Sequence, residues 1–227
     1  MKDIHIIGIL IVILLLVAVP SWVRAQSYSQ TVEQLGQLNR INPLQNPGFE
    51  RSDNVLNRKI LDRKNKVVGQ VRDILLNKNG TIQSIATEFD RLANTQTLFL
   101  NYRDMRIEPA DDGYILNLED NQIEDLYAEF LANMDTAAGG EDVFSAQKII
   151  GLPITEKSGK RLGVIKQILF GVNGARADAV YVELTQGLSR GDTIAIPFRS
   201  VDFKAQNNGL KATIDKDLIE SIKEIAE

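Results

Sequence analysis

The sequence predicts a mainly β protein with some α-helix, built from two tandem small β-barrel domains, each followed by an amphipathic helix. Two observations support this prediction. The strand segment around Gly69 has a second copy around Gly163, 94 positions later, and each copy runs into an Asn-Gly turn, at Asn79-Gly80 and at Asn173-Gly174. Short strands at close spacing with glycine turns are typical of small barrels, in which closure removes exposed sheet edges.

The first 25 residues form a predicted signal peptide. Residues 6–19 are almost wholly apolar, Pro20 interrupts the run, and Val23-Arg24-Ala25 offers a cleavage site before Gln26. The apolar run is shorter than the ~20 residues that a membrane-spanning helix needs. We therefore expect a secreted protein, and the alternative is anchoring by an uncleaved N-terminal helix.

Composition limits the chemistry of the mature chain. Cysteine is absent, and the single histidine, His5, lies in the predicted signal peptide. Thiol nucleophiles, the usual Ser-His-Asp arrangement and His-ligated zinc are therefore excluded. Loss of Lys2, Arg24 and Asp3 with that peptide changes the net charge from −4 to −5, which argues against nucleic acid as a partner. We predict no catalytic residues, no cofactor and no metal, and hence no enzymatic activity.

Between the signal peptide and the first domain, residues 26–57 are rich in Asn and Gln and show little periodicity, which predicts a flexible leader. The first barrel domain with its trailing helix is predicted at 58–136. A linker at 137–145 leads to the second barrel domain and its C-terminal helix at 146–227.

Glycines divide each predicted domain into strands. Asn79-Gly80 and Asn173-Gly174 suit type I′ hairpin turns, because both residue types accept the positive φ that such turns require. Gly69 and Gly163 lack the glycine-rich spacing of a phosphate-binding loop. At these two positions we expect close backbone approach or a bulge at a barrel corner.

Each β domain is followed by residues with helical periodicity. After the first domain, Ile123, Leu126 and Phe130 recur at three- and four-residue spacing, and acidic residues precede them. Leu218 and Ile222 repeat this pattern at the C-terminus. Both segments are therefore predicted to be amphipathic helices that cover a barrel.

Basic residues crowd the first turn of each domain. One hypothesis is that these turns dock onto an anionic surface, either lipid headgroups or an acidic protein partner. The alternative is an ordinary solvated turn. The Tyr102-Arg103 and Phe198-Arg199 pairs suggest either protein contacts or core aromatics with outward arginines. The candidate interaction surface comprises Arg63, Lys64, Lys66, Arg72, Lys160, Arg161, Lys166, Arg103 and Arg199.

The repeated segment resembles the PRC-barrel family. The resemblance consists of a strand, a polar turn, a hydrophobic-Gly-x-hydrophobic-x-Asp step, and then an apolar strand and a hairpin. Residues 60–74 provide the first copy, with Asp73 at the end of the step, and residues 154–168 provide the second, where Gln167 replaces that acid. The resemblance covers 58–118 and 149–214. It implies a docking or assembly module without a shared active site.

The function predicted from the sequence is therefore a non-catalytic protein-binding or assembly module of the cell envelope. The resemblance implies a bacterial protein, and hence a periplasmic location. Envelope proteins are the expected partners, with an anionic membrane surface and self-association as further possibilities. The alternatives are a periplasmic protein that binds or senses a small ligand, and an envelope enzyme that uses only carboxylates.

Overall fold

A computed structural model of the chain describes residues 21–90, 92, 97–132, 142–185, 192–207 and 209–226. Most of the predicted signal peptide lies outside these residues. Within the described part, none of the helices has the length and apolar character needed to cross a membrane.

In the described part of the first half, the chain forms a long helix, seven strands and three short helices. Its elements are α1 (Ser21–Asn39), β1 (Phe49–Arg51), α2 (Ser52–Val55), β2 (Lys59–Leu61), β3 (Val67–Asn77), β4 (Ile82–Phe89), β5 (Leu98–Asn101), β6 (Glu108–Ala110), β7 (Gly113–Ile115), α3 (Asp120–Asp125) and α4 (Tyr127–Ala132). A 3-10 turn at Pro43–Gln45 separates α1 from β1.

The second half repeats this plan. Its elements are β8 (Val143–Ser145), α5 (Ala146–Ile149), β9 (Pro153–Glu156), β10 (Arg161–Gly171), β11 (Ala177–Leu184), β12 (Thr193–Pro197), β13 (Asp202–Gln206), β14 (Gly209–Ile214) and α6 (Lys216–Ala226), with 3-10 turns at Val172–Gly174 and Phe198–Ser200.

Two sheets with the same strand order form the body of the protein. Module 1 (residues 59–115) has the order β5-β4-β3-β2-β7-β6, and module 2 (residues 153–214) has the order β12-β11-β10-β9-β14-β13. In each module one pair is parallel, β2 with β7 and β9 with β14, and the other pairs are antiparallel. The predicted fold class is confirmed: the chain is mainly β, with two barrel-like sheets.

The two modules exchange short arms. Arm 1 (residues 49–55, β1 and α2) precedes module 1, yet β1 pairs with β10 of module 2. Arm 2 (residues 143–149, β8 and α5) precedes module 2, yet β8 pairs with β3 of module 1. The arms are themselves 94 positions apart, so they belong to the duplication. Each repeat therefore completes the sheet of the other.

The exchange changes the predicted domain boundaries. Residues 26–57 are expected to be a flexible leader, but Leu35 of α1 is fully buried and residues 49–55 form arm 1. The amide of Asn39 donates to the carbonyl oxygen of Ala195 and accepts from its N–H, both at 2.8 Å, so this polar side chain pairs with edge strand β12. Part of the predicted linker is strand β8. The repeat therefore begins near Phe49 instead of Arg58.

The two modules share one hydrophobic core. Phe144 of arm 2 lies 5.8 Å from Phe203 of module 2, measured between ring centroids, and Phe198 is buried beside Phe203 at 5.1 Å. Thr81 and Arg176 hold equivalent positions after the two hairpin turns and pair with each other. Such a pairing is expected close to an approximate two-fold axis between the modules.

Gly69 and Gly163 are sites of close backbone approach, as the sequence predicts. A Cβ on Gly69 would lie 2.4 Å from the carbonyl oxygen of Glu88, and one on Gly163 would lie 2.3 Å from that of Glu183. Any larger residue would push the neighbouring strand away. These glycines therefore serve strand packing in both modules.

Candidate functional site

The basic turn of module 1 is neutralised within the chain. Arg63 and Lys64 both form ion pairs with Glu119, and Lys66 pairs with Asp120 at the start of α3. Hydrogen bonding to Arg63, and then to Lys64, lowers the pKa of Glu119. The predicted cationic surface is therefore largely cancelled here by the acidic beginning of the following helix.

The corresponding turn of module 2 keeps two exposed cations. Lys157 pairs with Asp215, which raises the pKa of Lys157 through a hydrogen bond and charge attraction. Lys160 and Arg161 are exposed and form no ion pair with any residue that the structure describes. Lys160 is the repeat counterpart of Lys66, so the two copies present different charges to solvent.

Two other predicted site residues occupy equivalent positions on the long strands. Arg72 of β3 contacts Glu88 of β4, and Lys166 of β10 contacts Glu183 of β11, each at 2.6 Å. Opposite charges facing each other across neighbouring strands stabilise their pairing by a few tenths of a kcal/mol to about 1 kcal/mol. These pairs support the hairpins in the same way in both modules.

The arginines that follow the aromatic residues differ in their surroundings. Phe198 is buried, which confirms the interpretation of that residue as a core aromatic, and Arg199 beside it donates a hydrogen bond to Gln34 of α1. Arg103 is its repeat counterpart and is exposed, as Arg199 is, but its side chain forms no such hydrogen bond with the described residues. The structure therefore divides the nine predicted residues among several surfaces instead of one continuous patch.

A cleft of about 370 Å³ lies where α1 and arm 1 cover the outer side of module 2. Its charged residues are Arg176, Asp178 and Arg199, and the Nε of Arg176 lies 3.4 Å from a carboxylate oxygen of Asp178. Burial raises the pKa of Asp178, and the charge of Arg176 partly offsets this effect. Sequence reasoning missed this cleft because α1 was interpreted as part of a flexible leader.

The first junction is the place where arm 2 contacts module 1, and Asp73 of module 1 binds the arm there. One carboxylate oxygen accepts a hydrogen bond from the hydroxyl of Ser145 at 2.5 Å, and the other accepts one from the N–H of Gln147 at 3.1 Å. Ser145 in turn accepts the N–H of Lys148 and so caps α5. Asp73, which completes the repeated glycine step in the sequence, therefore anchors arm 2.

The second junction is the place where arm 1 contacts module 2, and here Gln167, the counterpart of Asp73, binds the arm. Its side-chain carbonyl accepts a hydrogen bond from Ser52 at 2.5 Å, and its amide N–H donates to Asp53 at 3.5 Å. The Ser52 oxygen also accepts the buried N–H of Ile168 at 3.1 Å. The two junctions border a second cleft of about 310 Å³.

The described residues offer no ready metal site, since their His, Cys, Asp and Glu side chains form no group of three that could hold an ion. The fold and its polar anchors define a small β-barrel module that receives an arm from its neighbour. Residues 141–219 match the family model of the PRC-barrel domain, a segment that includes β8, all of module 2 and the start of α6. The second half of the chain therefore contains a PRC-barrel domain. No curated protein matches the chain.

Proposed function

We propose that this protein is a non-catalytic binding or assembly module of the cell envelope, and that it uses the exposed turn of module 2 to contact an acidic partner. The location and the absence of catalysis are part of the proposal. Both follow from the predicted signal peptide and from a mature chain that lacks Cys and His.

The interlocked modules favour this function because they form a preorganised platform. Each sheet contains a strand from the other repeat, and the core residues of both modules are contiguous. A partner that binds one module therefore meets a surface whose position is fixed relative to the other. Little conformational entropy is lost when such a surface binds.

The observation that carries the proposal is the charge difference between the two turns. Lys64 and Lys66 are already occupied by Glu119 and Asp120, whereas Lys160 and Arg161 have no ion-pair partner among the described residues. Unpaired exposed cations are available to an anionic surface, and such charges govern association rates and partner choice.

Crosslinking in intact cells, followed by purification of the tagged protein and mass spectrometry, tests this function. We expect a defined set of envelope proteins with the wild type, and loss of that set with K160Q/R161Q. The matched control is K64Q/K66Q, which neutralises the equivalent turn and should retain the partners. Equal capture by both variants, or capture of the protein alone, would contradict the proposal.

Flotation with vesicles of phosphatidylcholine alone or mixed with phosphatidylglycerol separates a lipid surface from a protein partner. An acidic protein partner predicts no flotation with either vesicle at physiological ionic strength. Flotation that requires phosphatidylglycerol and disappears in K160Q/R161Q would instead assign the turn to the membrane surface.

A further inference from the structure

We propose that the cleft between α1 and module 2 binds a small organic monoanion, namely a carboxylate attached to an apolar body. This binding activity is separate from partner docking at the turn that contains Lys160 and Arg161. It rests on three features of the cleft: its charge, its apolar wall and its difference from the equivalent surface of module 1.

The charged residues of the cleft leave one positive charge uncompensated. Arg176 lies beside Asp178, so these two charges largely cancel. Among the described residues, the Arg199 side chain hydrogen-bonds only to the neutral amide of Gln34 and forms no ion pair, and a guanidinium has five N–H donors. An incoming carboxylate can therefore form charge-assisted hydrogen bonds with Arg199 without displacing an existing ion pair.

The remaining wall suits an apolar body. Leu38 of α1, Phe49 of arm 1 and Pro197 at the end of β12 line the same cleft. Its volume of about 370 Å³ lies within the range of roughly 300–1,000 Å³ that is common for small-molecule sites. An apolar wall beside one fixed cation favours an amphipathic acid over an inorganic anion.

The equivalent surface of module 1 has different chemistry. Strand register places Thr81, Gln83 and Asn101 where module 2 has Arg176, Asp178 and Pro197. Arg199 does have an arginine counterpart in module 1, which is Arg103. The duplication therefore provides an internal control, an arginine at the same position of the fold with Thr81, Gln83 and Asn101 in place of Arg176, Asp178 and Pro197.

The test is an NMR titration of the isotope-labelled protein with 3-phenylpropionate and, separately, with its neutral analogue 3-phenylpropionamide. We expect the carboxylate to shift the amide signals of residues around Phe49, Arg176 and Arg199, and the neutral analogue to bind at least about tenfold more weakly. R199Q should weaken carboxylate binding by about tenfold, whereas R103Q should leave it unchanged.

The variant Asp178→Asn keeps the contact between Arg199 and α1, so it tests the site even if R199Q loosens that helix. Removing the carboxylate frees Arg176 for the ligand, and we expect binding of 3-phenylpropionate to tighten several-fold. Equal binding of the carboxylate and the amide, equal effects of R199Q and R103Q, or no saturable shift at the cleft would overturn the proposal. Preferential binding of phenylalanine, weakened by D178N, would overturn it in favour of a zwitterion.

Discussion

Module 1 and module 2 have the same strand order, but they hold the incoming arm with different chemistry. In module 1 the anchor is an acid, Asp73, and the main-chain N–H of Gln147 in arm 2 donates to it, while the side-chain amide of Gln147 donates to the carbonyl oxygen of Arg72. In module 2 the anchor is the amide Gln167, and the facing residue of arm 1 is the acid Asp53. Each junction therefore combines one acid and one amide position with the roles reversed, but only at the second junction do these two side chains bond to each other.

The residue types at the two junctions help to explain why each arm pairs with the other module. If arm 1 lay on its own module, Asp53 would face Asp73, and the ion pair of Asp53 with Arg51 of the same arm would only reduce the repulsion between the two carboxylates. Like charges in such a position destabilise the pairing, and repulsion against the wrong partner is a general source of specificity. The side chains at the junctions thus favour reciprocal exchange over pairing of each arm with its own module.

The largest expected effect comes from truncating the apolar residue that each arm buries. Ile149 of arm 2 and its counterpart Val55 of arm 1 are both fully buried. We expect Ile149→Ala to cost about 3–4 kcal/mol and Val55→Ala about 2–3 kcal/mol in the free energy of unfolding, because each leaves a cavity. Urea unfolding monitored by circular dichroism measures both. Because the modules share one core, a single transition is expected; separate unfolding of one module would argue against that coupling.

Truncating Asp73 and Gln167 compares how much each junction contributes to the free energy of unfolding. Asp73→Ala leaves Ser145 and the N–H of Gln147 without their acceptor, and we expect a loss of about 2 kcal/mol, as for hydrogen bonds to a charged group. Gln167→Ala removes the neutral hydrogen bond from Ser52 and the long one to Asp53, and should cost about 1 kcal/mol. Chemical denaturation of both variants measures the difference. Equal losses would show that the charge of Asp73 contributes nothing to the anchor.

Changing the charge at position 167 tests whether the contact between acid and amide stabilises the second junction. Gln167→Asp places a second carboxylate opposite Asp53, and we expect a loss of about 1 kcal/mol that shrinks in salt. The double variant D53N/Q167D gives the second junction the acid–amide arrangement of the first and should recover most of that stability. A double-mutant cycle in urea measures the coupling. If D53N fails to rescue Q167D, electrostatic pairing of arm and module is not the explanation.

A smaller difference concerns Tyr114 of module 1, whose hydroxyl donates to the carbonyl oxygen of Gly174 at 2.8 Å. Ala212 takes the corresponding register position in module 2, so this bond between the modules has no counterpart. Tyr114→Phe should cost about 1 kcal/mol at neutral pH. Thermal unfolding of the two proteins at matched pH measures this loss.

The same tyrosine predicts a dependence on alkaline pH. Burial raises the pKa of Tyr114 above the usual value of 10.0, and the charge of Arg58 only partly opposes this. Tyr114 therefore keeps its proton in the folded state while the unfolded chain loses it, so the contribution of this residue to stability is fully present well below pH 10 and is lost as the pH rises further. Tyr114→Phe should lack this part of the decline. Parallel alkaline unfolding curves for the two proteins would refute the assignment.

Local patterns in the sequence were sufficient for the elements of each module. Gly69 and Gly163 have no room for a Cβ, and hairpins form where the sequence places Asn79-Gly80 and Asn173-Gly174. In the first turn Gly80 has a positive φ but Asn79 does not, so it is not the type I′ turn that the sequence predicts. The conformational freedom of glycine and the alternation of side chains along a strand depend on only a few neighbouring residues, so both can be predicted without a structure. The apolar spacing after each β domain likewise predicted helices there, although the single helix expected after the first domain is divided into α3 and α4.

The candidate surfaces were harder to predict from the sequence than the strands and turns. The basic residues of both turns are plain in the sequence, but the cancellation of Lys64 by Glu119 joins residues 55 positions apart. Arg199 was singled out, whereas Arg176 and Asp178 were not, because only the packing of α1 gathers them into one cleft. A comparison of the two copies, register by register, gives the one sequence signal for that cleft: charged residues replace Thr81 and Gln83.

The sequence by itself determined that the chain is a duplicated, mainly β protein with glycines at its close backbone contacts, because these properties depend on residue type and local spacing. Tertiary structure alone decided that the arms are exchanged and that residues 26–57 belong to the fold. Asp73 and Ser145 are 72 positions apart, and Ser52 and Gln167 are 115 apart. Because these partners are far apart in the chain, local spacing does not predict the exchange, and only the folded arrangement brings them together.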